Sequence, residues 1–274
     1  MNKKLGKLEY KETKRLFTLF TVVLLAYQII SIILGFISRN VNSEIPTNTI
    51  IILSLCSALG IIVCAIIMLK RFYNILFTSE GSIKLAMPVK NSEHQKANIK
   101  TALIWIYIML AILVIGIGLS EVSSGNRIYG ITNAYGNYIE SYSIMDRSPN
   151  PALEAVITIA VDVLTMMVII ANLYISCIFA VTIASRIAGR FNIIQKNGVL
   201  FIIVIILYNI KALFFNNLYQ IFNYVENRVN RSPVPLSTYA FQLSLDISCV
   251  IVYGLSAIAM YMICKSILDK KLDI

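Results

Sequence analysis

Three ionisable residues lie inside long apolar segments of this 274-residue sequence: Asp162, Lys211 and Asp246. Their chemistry is that of ion pairing, because a charge in a nonpolar environment costs several kcal/mol unless it is paired or reaches water. At 1.5 Å per residue along a helix, all three lie roughly 8–13 Å from the same boundary of their segments. Two interpretations stay open: Lys211 pairs with Asp162 or Asp246 and holds three helices together, or the three residues form a polar lining along a path or a dimer seam.

The sequence lacks the residue sets that catalysis requires. The only histidine, His94, lies in a predicted cytoplasmic loop, so a two-histidine metal site within one chain is excluded and the apolar runs contain no histidine for a triad. No G-x-x-x-x-G-K-[ST] occurs, so no P-loop holds a nucleotide, and the five cysteines show no metal-ligand spacing. We therefore predict no enzyme activity, catalytic residue, metal or cofactor in this chain, and we expect His94 to be a solvated residue at the start of a helix.

The composition is that of a membrane protein. Hydrophobic residues make up 58% of the chain and charged residues only 14%, with a mean hydropathy of +0.76. About 20 apolar residues cross a bilayer as a helix, and the continuous length of the runs excludes barrel strands. The sequence predicts an all-α integral membrane protein with six transmembrane helices. The six runs are Phe17–Ile37, Thr49–Leu69, Ala102–Leu119, Ala155–Ala184, Val199–Phe215 and Phe241–Ile267.

The basic residues give the orientation. Lys and Arg concentrate in the cytoplasmic connections of membrane proteins, and here 18 fall on one side of the predicted helices and five on the other. The richer side contains both chain ends, which we therefore place in the cytoplasm. The formal charge of +10 is explained by this distribution and by anionic lipid, so membrane lipids are expected partners and nucleic acid is not. Trp105, near the inner end of the third run, is expected to be an interfacial anchor.

The second connection, residues 70–101, is the most informative segment. The second apolar run is followed by Arg71-Phe72-Tyr73-Asn74-Ile75-Leu76-Phe77, which continues a helical pattern until Gly81, a typical residue after a helix end. Asn91 or Ser92 can cap the next helix, which runs into the third span. The sequence thus predicts a cytoplasmic helical hairpin with an apolar tip. Such a tip is typical of a partner surface, and the alternative is a tip that folds back onto the bilayer.

This segment resembles the cytoplasmic loop of ABC-2-type permeases, the transmembrane subunits of bacterial ABC exporters. In that family a Phe-Tyr helix extension precedes an acidic-Gly turn and a Leu-Pro-Val stretch. Met87 stands where the family has Leu, and Ser82-Ile83 replaces its Tyr-Leu. The matching positions are Phe72, Tyr73, Phe77, Glu80, Gly81, Leu85, Pro88 and Val89.

The resemblance implies a permease without its own ATPase. It implies that the loop forms a coupling helix held by a separate ATPase subunit, which carries the ATP and Mg²⁺. It also implies a second permease copy or a homologous permease, a bacterial cell membrane and a connecting helix around Lys3–Leu16. The expected substrate is hydrophobic or amphipathic, such as an antimicrobial peptide, a lipid or a drug. The implied coupling residues are Phe77, Glu80, Gly81, Leu85, Met87, Pro88 and Val89.

We expect one transmembrane domain over residues 1–274. Residues 1–16 form a cytoplasmic connecting segment, residues 17–267 the six-helix membrane domain, and residues 268–274 a cytoplasmic tail. The rival hypothesis is a stand-alone membrane protein for binding, immunity or sensing that has no ATPase. An adjacent gene for a P-loop protein distinguishes the two.

Overall fold

The computed structural model describes residues 2–40, 44–77, 91–125, 151–191 and 238–270, together with Ile203, Ile206 and Gln220. Every extended described segment is helical, and no strand occurs among these residues. The five helices are α1 (Asn2–Asn40), α2 (Glu44–Phe77), α3 (Asn91–Ser123), α4 (Pro151–Phe191) and α5 (Thr238–Lys270). The prediction of an all-helical protein is confirmed at this level.

Five candidate membrane spans follow from length and hydropathy. Each described helix contains a candidate span of 24 to 32 residues, within which an 18-residue window has a mean hydropathy between 2.1 and 3.0. Such a length is enough to cross about 30 Å of hydrocarbon. These helices correspond to the first, second, third, fourth and sixth predicted runs. The fifth run, Val199–Phe215, lies outside the described residues except for Ile203 and Ile206, which are helical.

Prolines and one glycine account for several helix ends. Pro151 is the first residue of α4 and Pro46 lies in the first turn of α2, positions where the missing proline N–H breaks no helical hydrogen bond. After α3, Gly125 has φ +68°, and its N–H donates to the carbonyl of Val122 at 3.2 Å. A left-handed residue of this kind ends helices because only glycine adopts it without strain.

The amino-terminal segment and the first candidate span, which begins at Tyr10, belong to one continuous helix. Helix α1 runs without interruption through Leu16 and Phe17, the expected boundary between a connecting segment and the membrane domain. Its 39 residues exceed the roughly 20 that a membrane crossing needs. Helix α4 is similarly long, with 41 residues in one continuous helix.

The chain divides into two compact units, of which the first comprises residues 1–72 and 93–138. In this unit α1 and α2 are antiparallel: Glu12 pairs with Arg71 near the amino-terminal end, whereas Gln28 contacts Ser57. Helices α1 and α3 are parallel, because their contacts advance together. These contacts, at equal sequence separation, join Phe17 with Trp105, Gln28 with Gly116 and Gly35 with Ser123.

The second unit comprises residues 73–92 and 139–274. Helices α4 and α5 pack together there. Asn172 contacts Ser256, and Ser176, one turn later, contacts Met260, one turn later on the other helix. Both pairs are separated by 84 residues, so α4 and α5 run in the same direction.

Candidate functional site

A buried polar contact joins all three helices of the first unit, near the middle of the apolar runs of α1 and α2 and towards the end of that of α3. The side-chain amide of Gln28 donates to the hydroxyl of Ser57 at 3.3 Å, and that hydroxyl donates to the carbonyl of Leu53 at 2.8 Å. Gln28 lies directly against Gly116 of α3, where a Cβ would be only 2.6 Å from its Cγ. Glycine is therefore required at position 116 for the glutamine side chain to fit between the helices.

A cavity of about 210 Å³ lies beside this contact. Its walls come from α1, α2 and α3 and are mainly apolar, with Ser57 contributing a hydroxyl. A Cβ added at Gly60 would meet no atom within 4 Å, so this glycine leaves space in the wall. The arrangement can accept an apolar group. The lining residues are Phe20, Val23, Leu24, Tyr27, Cys56, Ser57, Gly60 and Met109.

An aromatic cluster lies towards the amino-terminal end of the unit. Trp105 of α3 stacks on Tyr10 with ring centroids 5.3 Å apart and on Phe17 at 5.7 Å, both on α1. Trp105 is only 5% exposed, so the expectation of an interfacial anchor is wrong: the indole packs against α1. Near these rings Arg71 of α2 donates to the carboxylate of Glu12.

The first turns of α3 are polar and buried. Ser92, His94, Gln95, Asn98 and Thr101 are each at most 3% exposed. The expectation that His94 is solvated is therefore wrong. Gln95 is fully buried, and neither atom of its amide makes a hydrogen bond with another described residue. Such an amide is costly, because it has lost its bonds to water without replacement.

In the second unit, a carboxamide also joins two parallel helices. Asn172 of α4 donates to the carbonyl of Tyr253 at 2.7 Å and to the hydroxyl of Ser256, both on α5. One turn further, Ser176 contacts the sulfur of Met260 at 3.5 Å. Asn172 is buried, with 1% exposure. Hydrogen bonds of this kind hold helices together in a medium where packing of apolar groups gives no hydrophobic gain.

The register of the second unit also bears on the ionisable residues Asp162 and Asp246. They are separated by the same 84 residues as the two contacting pairs, which places them at one level along α4 and α5. Both are partly buried. Lys211, their predicted partner, lies outside the described residues.

The predicted coupling residues lie at or beyond a helix end. Phe77 is the last residue of α2, and α3 begins at Asn91, as the capping pattern indicated. The helical arms of the predicted hairpin are thus present on both sides of the loop. Glu80, Gly81, Leu85, Met87, Pro88 and Val89 fall outside the described residues.

Sequence reasoning missed the two carboxamides, Gln28 and Asn172. The available signal was a long polar side chain near the centre of an apolar run, where hydrogen-bonding groups are rare and usually face another helix. The glycine opposite Gln28 had no comparable signal, because Gly116 and Gly118 look alike in sequence and only Gly116 faces a neighbour.

Comparison with protein-family models, with curated proteins and with solved structures finds no match for this chain. Within the described segments, no group of three histidine, cysteine or acidic residues is arranged to hold a metal ion. The five long apolar helices indicate a multi-pass membrane protein.

Proposed function

We propose that this chain is the permease subunit of an ATP-driven ABC exporter. The supporting observation is the pair of helical arms around the Glu80–Val89 segment. Helix α2 continues for eight residues beyond the apolar run that ends at Leu69, and α3 begins eleven residues before the run that starts at Ala102. Each arm is continuous in one helix with its span, as a coupling element that transmits movement requires.

The six-span topology rests on the direction of α4 and α5. Two parallel helices that both cross a membrane need an odd number of crossings between them. The intervening residues contain one long apolar run, Val199–Phe215, in which Ile203 and Ile206 are helical. One crossing there gives six in total. With the basic residues concentrated at both chain ends, both termini then lie in the cytoplasm of a bacterial cell.

The chain performs no chemistry in this proposal. A separate ATPase subunit binds ATP and Mg²⁺ and holds the loop between the two arms. Closure of the ATPase moves the arms and switches the spans between inward-facing and outward-facing states. A second copy of the chain, or a homologous permease, completes the path. The mainly apolar cavity beside Gln28 and Ser57 supports the proposal that the substrate is hydrophobic or amphipathic.

The test is co-purification with a P-loop ATPase encoded by an adjacent gene. We expect the two chains to purify together in mild detergent and the double variant Leu85→Asp/Val89→Asp to lose the ATPase while keeping its own yield. The matched control is Ile131→Asp in the third connection, which should retain it. An ATPase that stays bound to the double variant, with transport intact, contradicts the coupling role. If no ATPase gene lies adjacent, the alternative of a stand-alone binding protein is favoured.

A further inference from the structure

The six basic residues of the amino-terminal segment lie along one side of α1. At about 100° per residue, the positions Lys3, Lys4, Lys7, Lys11, Lys14 and Arg15 fall within a sector of about 120°. The side chains of Lys11, Lys14 and Arg15 are exposed. We call the surface formed by these three side chains the basic stripe.

The side of α1 that adjoins this sector is packed against the rest of the unit. Thr13 and Phe17 are 3% and 1% exposed, and Tyr10 stacks on Trp105. The pair of Glu12 with Arg71 fixes the rotation of the helix further. These contacts make the basic stripe face away from α2 and α3.

The same sector of α1 becomes apolar and exposed beyond the basic stripe. Its residues repeat at the spacing of one helix face, and each is more than 40% exposed. They are Val22, Leu25, Ile29, Ile33 and Phe36. One face of a single continuous helix therefore presents cationic groups first and hydrocarbon groups after them.

We propose that this face binds anionic phospholipid, with the phosphate group on the basic stripe and the acyl chains along Val22 to Phe36. The order of charge and hydrocarbon along the helix matches the order in one leaflet of a bilayer. An acidic protein would match the basic stripe but would leave the exposed apolar continuation unexplained. Attraction of Lys and Arg to an anionic leaflet acts over about one screening length, so residues nearest the span contribute most.

Trp105 provides the probe, because it is the only tryptophan and lies beside Tyr10, which neighbours the basic stripe. The full chain is placed in phosphatidylcholine nanodiscs with a small, fixed fraction of dansyl-labelled phosphatidylglycerol or dansyl-labelled phosphatidylcholine. Energy transfer from Trp105 to the dansyl group then reports which lipid gathers near the basic stripe. We expect the relative association of phosphatidylglycerol to be about five-fold higher, falling towards one at about 1 M salt, where screening extends only about 3 Å.

Two variants separate charge from structure. Lys11→Gln/Lys14→Gln/Arg15→Gln should abolish the preference, whereas Lys11→Arg/Lys14→Arg/Arg15→Lys should keep it. Equal energy transfer from Trp105 to both labelled lipids in the unmodified chain overturns the proposal. The alternative ligand of the basic stripe is then an acidic protein. A preference that survives in the neutral variant also overturns it. Binding of an ATPase has no influence on these outcomes, so the inference stands or falls independently of the exporter.

Discussion

Asn172 on α4 donates a hydrogen bond from its side-chain amide to the backbone carbonyl of Tyr253 on α5, at 2.7 Å. The same amide also donates to the hydroxyl of Ser256, which itself donates to the Tyr253 carbonyl at 3.0 Å. One side chain thus bonds to two positions on a neighbouring helix. Where hydrocarbon surrounds the helices, no water competes for these groups, so the contact fixes the register of the pair.

Replacing Asn172 with Leu should weaken the packing of α4 on α5. The variant keeps the approximate size and removes both donors, so we expect it to lose about 1 kcal/mol of unfolding free energy, within the range for hydrogen bonds between membrane helices. The measurement is reversible unfolding by SDS in mixed micelles. The control is the adjacent Leu173→Ala, since Leu173 is 66% exposed. Equal loss in both variants would show that the hydrogen bonds contribute nothing.

Substitution of two nearby glycines should have opposite effects. Gly116→Ala places a Cβ against Gln28, so we expect a loss of about 1–3 kcal/mol, as for overpacked cores. Gly118→Ala meets nothing within 4 Å and should gain about 0.5–1 kcal/mol from higher helix propensity. The two variants are compared by thermal unfolding followed with a thiol-reactive dye. The double variant Gln28→Ala/Gly116→Ala should recover part of the stability that Gly116→Ala loses. If it does not, a clash between the added Cβ and Gln28 is not the cause of that loss.

Gln95→Met should stabilise the chain. Methionine is similar in shape and carries no polar group that needs a partner, so we expect a gain of about 1–2 kcal/mol, the cost of an unsatisfied amide. The neighbouring Lys96 is exposed, and Lys96→Met should change stability by less than about 0.5 kcal/mol. The same dye-based unfolding measurement applies. A loss of stability in Gln95→Met would mean that the amide has a hydrogen-bond partner in the folded protein.

Exchange of charges should test the predicted pairing of Lys211. The shared level of Asp162 and Asp246 makes either aspartate a possible partner. Lys211→Asp alone should reduce accumulation of folded protein, because it adds a third acid within the membrane. Combination with Asp162→Lys or Asp246→Lys should restore it for the true partner, as measured by size-exclusion chromatography in detergent. If neither combination restores accumulation, Lys211 pairs with neither residue.

Sequence patterns predicted the helices well and their neighbours poorly. Long apolar runs fix a transmembrane helix almost alone, because the bilayer leaves few other structures for the backbone. The start of α3 at Asn91 also followed from its capping residues, whereas Gly81, where the helical pattern of α2 was predicted to end, lies outside the described residues. The burial of His94 and Trp105 did not follow from the sequence, since both depend on the contacts of one helix face. A hydropathy pattern does not record which face of a helix meets which neighbour.

The fit of Gln28 against Gly116 also limits how α1 and α3 can move. A slide of one turn along the pair would bring Gln28 opposite Ile112 or Ser120, where a side chain occupies the space that glycine leaves open. Gly35, further along α1, makes an equally close approach in the present register, where a Cβ would lie 3.0 Å from the carbonyl oxygen of Ser120. The two close approaches therefore oppose sliding of α1 along α3, and a movement that preserves both contacts carries the two helices together.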